Sequence, residues 1–216
     1  PQYKFVFASR EDLKLHHFPL VENFFLAVKP QYCINCAAYT AVDKAENEQD
    51  LAMLVNGEAV GHLAAICKKY QTKLIHISTD YVFDGVSNVP YKENVNPNPQ
   101  SVYGKTKFAG EEAILKINPE NSIIIRTSWV YSSFGNNFVK TMLRLSKDRD
   151  ELNIVADQIG TPTYARDLAK IMIEILPKVK NKTVEIFHYS NEGVCSWYDF
   201  AKAIFDKNFC KSNYFK

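Results

Sequence analysis

Thr79, Tyr103 and Lys107 are the residues of this chain whose types and spacing could do chemistry together. Tyr103 and Lys107 lie four apart near the start of a predicted helix, and side chains at that spacing share one face. A phenol with an ordinary pKa of about 10 is a poor acid or base at neutral pH. An ammonium beside it stabilises the phenolate and is expected to lower that pKa, so the pair could pass a proton to or from a substrate oxygen. Thr79 stands at the end of the preceding predicted strand, where its hydroxyl could hydrogen-bond the same oxygen. The plainer alternatives are an exposed charged helix face for the Tyr/Lys pair and a turn or N-cap hydroxyl for Thr79. Threonine at a strand end, tyrosine at a helix start and lysine one turn on form a more specific set than any one alone.

The elements that must position these residues are legible as short β-rich runs alternating with longer helical patterns. Strands are predicted at Lys4–Ala8, Tyr32–Cys36, Lys73–Ser78, Ser122–Thr127, Asn153–Ala156 and Val184–His188. Several are near-continuous apolar runs, such as Ile123-Ile124-Ile125, which suits strands covered on both faces. Helices are predicted at Leu20–Val28, Glu46–Tyr70, Ser101–Ile117, Asn137–Ser146, Ala165–Leu176 and Ser196–Phe205, the last with Ser196 as its N-cap. This alternation predicts an α/β fold with a doubly wound, Rossmann-like parallel sheet. Ligands of such sheets bind beyond the carboxyl ends of the strands. Polar or aromatic clusters follow four predicted strands: Ala37–Asp43, Ser78–Phe83, Ser128–Tyr131 and Asp157–Thr163.

The runs Asn35–Glu46, Ser78–Gly85, Val102–Lys107, Arg126–Tyr131, Asn136–Arg144 and Asp157–Thr163 carry a resemblance to the dTDP-4-dehydrorhamnose reductase family of extended short-chain dehydrogenases. The resemblance covers nearly the whole chain. It implies NADPH-dependent reduction of the C4 keto group of dTDP-4-dehydro-β-L-rhamnose to dTDP-β-L-rhamnose, in cytoplasmic synthesis of envelope polysaccharide. Tyr103 would be the proton donor, Lys107 would hold the nicotinamide ribose and lower the Tyr103 pKa, and Thr79 would bond the carbonyl. Asp80, Tyr81 and Trp129 would line the sugar site, with Trp129 as an apolar wall or, alternatively, a core residue. Ala38, Tyr39 and Thr40 would line the cofactor. Gln158 would touch the nucleotide or only order its own loop.

The departures from the family pattern are informative. The family opens with a strand and a glycine-rich turn that brings backbone N–H groups to the pyrophosphate. This chain has no such turn, and Lys4–Ala8 corresponds to the family's second strand. The first βα unit is therefore expected to be missing, and the family also runs on past Lys216. After Lys4–Ala8 an acid often binds the adenosine ribose; here Ser9 and Arg10 stand instead, which tilts the cofactor toward NADPH, with NADH as the alternative. Lys14 replaces a frequent aspartate near the adenine, while Leu15 could still pack there. Residues 1–150 are read as the dinucleotide domain and 151–216 as a small part contributing the sugar-nucleotide site.

Composition excludes other classes of partner. A net charge of +2 with no Lys/Arg stripe argues against nucleic acid. No run approaches the ~18 apolar residues of a membrane helix, and no secretory leader is visible. The five cysteines, Cys33, Cys36, Cys67, Cys195 and Cys210, are odd in number and read as free thiols. Cys33 and Cys36 fall on opposite faces of one predicted strand and so cannot share a metal. The five histidines, His76 among them, show no ligand spacing and are read as structural or solvated. Magnesium, described at a subunit contact in some of the family, cannot be placed on any residue here. A homodimer is compatible with the resemblance. Two other readings stay open: a non-catalytic nucleotide-binding regulatory subunit, and a nucleotide-sugar epimerase that keeps its NAD and consumes no reductant.

Overall fold

The computed structural model describes residues 3–207. Among them the strands are β1 (Tyr32–Asn35), β2 (Lys73–Thr79), β3 (Ile123–Thr127), β4 (Val130–Tyr131), β5 (Ile159–Gly160), β6 (Thr163–Tyr164), β7 (Glu185–His188) and β8 (Cys195–Ser196). The α-helices are α1 (Phe18–Val28), α2 (Val42–Ala45), α3 (Gln49–Met53), α4 (Ala59–Lys69), α5 (Val102–Ile117), α6 (Phe138–Asp148), α7 (Ala165–Ile175) and α8 (Trp197–Lys207).

The chain packs as two compact units. The first runs to Arg126 and takes back Leu176–His188; the second holds Thr127–Ile175 and the chain from Tyr189 on. The return of Leu176–His188 brings β7 back to complete the first unit's sheet. That sheet has the order β1-β2-β3-β7, with β1 parallel to β2 and β3 parallel to β7. β-branched residues fill its centre, and β3 is buried at all five positions, as a strand covered on both faces must be. Val21 and Phe25 of α1, Val60, Leu63 and Ile66 of α4, and Ile114 of α5 close on Leu74 and Ile124. Burying each such side chain contributes about 1.5–3 kcal/mol.

Helix α5 begins where Ser101 Oγ accepts from Gly104 N at 3.1 Å. It ends at Asn118, which adopts the left-handed conformation and bonds back to the Ile114 carbonyl. The Asn118 side chain then accepts from Val184 N at 2.8 Å, tying the helix end to the approach to β7. In the second unit β4 pairs with β6 and β5 with β8, and α6 packs on α8 around Met142, Leu152, Ala201, Ile204 and Phe205.

Three expectations about elements need correction. Lys4–Ala8 forms no strand: Phe5 and Phe7 are exposed and stack on each other, 5.9 Å apart, with Tyr3 edge-on to Phe5. A β-prone run becomes a strand only where another chain segment completes its ladder. Asn153–Ala156 is likewise irregular, with the Val155 carbonyl accepting from Tyr198 N at 3.1 Å. The single helix expected over Glu46–Tyr70 is two α-helices, α3 and α4, joined by a π-helical turn at Leu54–Glu58. That turn carries Asn56, fully buried and bonded outside its own helix. Inserted π turns are frequent next to functional sites.

Candidate active site

Thr79 ends β2, and the chain turns at once into a short 3-10 helix over Asp80–Val82. The turn is set locally: Thr79 Oγ1 accepts from Tyr81 N at 3.2 Å and donates to Asp80 Oδ1 at 3.0 Å. Tyr103 lies in the first turn of α5, its ring 5.4 Å from that of Tyr81 in an edge-to-face arrangement. Gly104 allows this approach, because a Cβ there would strike the Tyr81 carbonyl oxygen.

Burial governs the electrostatics. It pushes the Tyr103 phenol up to about 12, opposed by a hydrogen bond with Thr79. It also pushes the Asp80 carboxyl up to about 6 and the Lys107 ammonium down to about 8, the latter opposed by Glu111 and Cys36. Lys107 is 2% exposed. Its Nζ donates to the Ile77 carbonyl at 2.8 Å and lies 3.4 Å from His76 Nε2. The depression of the Tyr103 pKa by Lys107 expected from the spacing is therefore not seen. The lysine is turned onto β2, and the phenol is held neutral.

The segment Ala38-Tyr39-Thr40 leaves the end of β1, and Asn56 grips its middle. The amide accepts from Tyr39 N at 2.8 Å and donates to Tyr39 O and to Thr106 Oγ1, both at 3.1 Å. Tyr39 itself donates its hydroxyl to Glu48 at 2.6 Å. The π turn comes so close to α5 that a Cβ on Gly110 would strike the Asn56 carbonyl oxygen. Further along α5, Glu111 takes a two-pronged ion pair from Arg126 at the end of β3, with the shortest contact 2.6 Å.

Ser9, Arg10 and Leu15 stand apart from this cluster. Ser9 donates from both N and Oγ to the Asp12 carboxylate, at 2.8 and 2.6 Å, while Arg10 is exposed and Leu15 packs on the core beside α1. In the second unit Trp129 takes a left-handed backbone, φ 49°, rare for a bulky residue. Its indole stacks on Trp197 at 3.5 Å, and a Cβ on Gly160 would collide with it. Gln158 is exposed beside β5. Cys33 and Cys67 are free thiols that share a hydrogen bond, whereas Cys36 faces Lys107; Cys210 lies outside the described residues. Among the described residues no group of three or more His, Cys, Asp or Glu could hold a metal ion, and no helix is long and apolar enough to cross a membrane. A cavity of ≈ 250 Å³ lined by Phe25, Leu26, Lys29, Pro30, Tyr70 and Thr72 opens near the starts of β1 and β2, away from these residues.

Sequence reasoning gives no role to Asn56 or Glu111, reads His76 as structural or solvated, and offers Asn35 and Arg126 only within the motifs of the resemblance. The available signal was polarity out of place: His76 and Arg126 interrupt apolar strands, and Glu111 lies one helical turn after Lys107.

A parallel sheet with threonine, tyrosine and lysine gathered at its strand ends is the arrangement of short-chain dehydrogenases and reductases. The chain belongs to the family described as RmlD substrate binding domain, which it matches over residues 2–214. It is 49% identical over 193 residues to a dTDP-4-dehydrorhamnose reductase of Aggregatibacter actinomycetemcomitans, covering 88% of this chain and 64% of that protein. It is 40% identical to the spore coat polysaccharide biosynthesis protein SpsK of Bacillus subtilis, covering 95% of this chain and 71% of the relative. Among solved structures, the dTDP-4-dehydrorhamnose reductase of Bacillus anthracis in complex with NADP matches with a TM-score of 0.92 at 40% identity. That match covers 99% of this chain and 75% of the other.

Proposed function

We infer that the chain carries the reducing site of an NADPH-dependent dTDP-4-dehydrorhamnose reductase, converting dTDP-4-dehydro-β-L-rhamnose to dTDP-β-L-rhamnose. The observation that carries this reading is the pairing of the buried Thr79 hydroxyl at the end of β2 with the half-buried Tyr103 phenol in the first turn of α5, both uncharged at neutral pH. The bound nicotinamide supplies a hydride to C4 of the sugar. A phenol that keeps its proton at pH 7 can deliver it to the C4 oxygen as negative charge grows there. Thr79 Oγ1 has one proton, now given to Asp80, and can redirect it to the same oxygen.

The residues present fit the cofactor at both ends. Lys107 of α5 is buried against β2 with donor capacity beyond the Ile77 carbonyl, which suits a ribose hydroxyl. The Asp12 carboxylate is engaged by Ser9, while Arg10 beside it is exposed; that combination favours a 2′-phosphate, hence NADPH over NADH. Asp80 and Tyr81 are assigned to the sugar, Ala38, Tyr39 and Thr40 to the cofactor, and Trp129 and Gln158 to the sugar nucleotide. We assign the protein to the cytoplasm, where the described cysteines would remain free thiols.

The test is NADPH absorbance on adding dTDP-4-dehydrorhamnose, with the product identified by mass and NMR. One NADPH oxidised per dTDP-rhamnose formed is expected. A sugar epimerised with no net loss of NADPH would refute the assignment, as would nucleotide binding without turnover.

A further inference from the structure

His76, below Lys107 on β2, is absorbed by neither the fold nor the proposed reaction. It is 0% exposed and makes two contacts: its Nδ1 lies 3.0 Å from Asn35 Nδ2 and its Nε2 lies 3.4 Å from Lys107 Nζ. The orientation of the Asn35 amide is fixed independently. Ala37 N sits 3.1 Å from Asn35 Oδ1, and a backbone N–H can only donate, so that atom must be the oxygen. The amide nitrogen therefore faces His76 and donates, and Nδ1 must accept. A neutral imidazole accepting at Nδ1 carries its proton on Nε2, the atom turned toward Lys107. Burial and the lysine hold His76 well below its usual pKa, so the ring is neutral.

We propose that Asn35 and His76 form a positioning device for Lys107: Asn35 locks the His76 tautomer, and the resulting Nε2–H sets how readily Lys107 carries a third proton. An ammonium at Nζ would set N–H against N–H. The neutral amine accepts from Nε2–H while still donating to the Ile77 carbonyl, so His76 favours the amine. The other groups facing Lys107 are Glu111 from its own helix and Cys36 from the segment after β1, and both favour the ammonium. Lys107 is thus held between opposing influences, with its proton gained or lost near neutrality. This rests on Lys107 belonging to the reductase site, where the ammonium is the working form. Activity then declines as the pH rises through the Lys107 pKa of about 8, and His76 decides where that decline falls.

The experiment reads the tautomer and the lysine separately from turnover. Imidazole ¹⁵N NMR of the full chain should find the His76 proton on Nε2. Asn35→Asp keeps an acceptor for Ala37 N but presents a carboxylate to Nδ1, which should move the proton there and turn a lone pair to Lys107. The Lys107 midpoint, followed by ¹³Cε shift, should then rise by about one pH unit or more, and the alkaline limb of kcat/KM should move with it. In a His76→Leu background the same substitution should lose most of that shift. A wild-type proton on Nδ1 overturns the proposal, whether or not the variants fold. A shift that persists at full size without His76 also overturns it, because charge alone would then be the cause. A wild type that oxidises no NADPH would sink the reductase reading, while the tautomer and the lysine midpoint still decide the Asn35–His76 pairing.

Discussion

Replacing Arg126 by Met would leave the Glu111 carboxylate without its partner in the interior of the first unit. The pair makes three contacts of 2.6–3.2 Å, with the side chains 3% and 0% exposed, so water cannot take the arginine's place. Removing one partner from so buried a pair costs about 3–5 kcal/mol, most of it the stranded charge. Against a total stability of about 5–15 kcal/mol that is a large fraction. At about 2–4 °C per kcal/mol for a protein of this size, the melting temperature should fall by roughly 6–20 °C. The stranded carboxylate should also act more strongly on Lys107, one helical turn away, and raise its midpoint above about 8. Glu111→Leu added to Arg126→Met should recover most of the stability, since an apolar pair of similar volume needs no compensating charge. Urea and thermal unfolding of both variants provide the assay. A loss below about 1 kcal/mol in the single variant, or a double variant no more stable than the single, would refute the reasoning.

Three further outcomes follow from the geometry. Burial raises the Asp80 pKa from 3.8 to about 6, and a carboxyl raised on folding favours the folded state only while protonated. Its contribution is present below pH 3.8 and lost as the pH rises through about 6, so Asp80→Asn should stabilise the protein by about 1–3 kcal/mol at pH 8 and by little at pH 4, measured by urea unfolding. Asn56→Ala should remove its bonds to the part-buried Tyr39 N and O, at about 0.5–1.5 kcal/mol per bond, and weaken NADPH binding more than it lowers kcat, which fluorescence titration beside steady-state kinetics will show. Gly110→Ala should drive a methyl into the Asn56 carbonyl and lower stability by about 1–3 kcal/mol, whereas Gly85→Ala, with nothing within 4 Å but φ +75°, should cost only its backbone strain of about 1 kcal/mol.

The parts of this molecule readable from sequence are those where one local signal suffices. Continuous apolar runs such as Ile123-Ile124-Ile125 announce buried parallel strands, and four predicted strands stand in the sheet within a residue or two of the expected bounds. Lys4–Ala8 and Asn153–Ala156 fail because β propensity says nothing about whether a neighbour completes the ladder. The π turn over Leu54–Glu58 escapes notice because each of its residues is acceptable in an α-helix, and the partners of its Asn56, Tyr39 and Thr106, lie 17 and 50 residues away. The grouping of Thr79 and Tyr103 was readable because each sits at an element end. The orientation of Lys107 was not: four-residue spacing fixes a shared face, while the Ile77 carbonyl and His76 fix where the ammonium points. His76 itself was passed over as a scattered histidine, since only the fold sets it between Asn35 and the lysine.

The central claim is that Tyr103 gives its proton to the substrate oxygen. Tyr103→Phe removes that proton and the hydrogen bond with Thr79, while the ring keeps its place against Tyr81. Wild type and variant should be compared for NADPH consumption with dTDP-4-dehydrorhamnose and for NADPH binding in its absence. The account predicts a fall in kcat of about 10²–10⁴-fold with binding nearly unchanged. A variant that keeps more than a tenth of the wild-type turnover would contradict it.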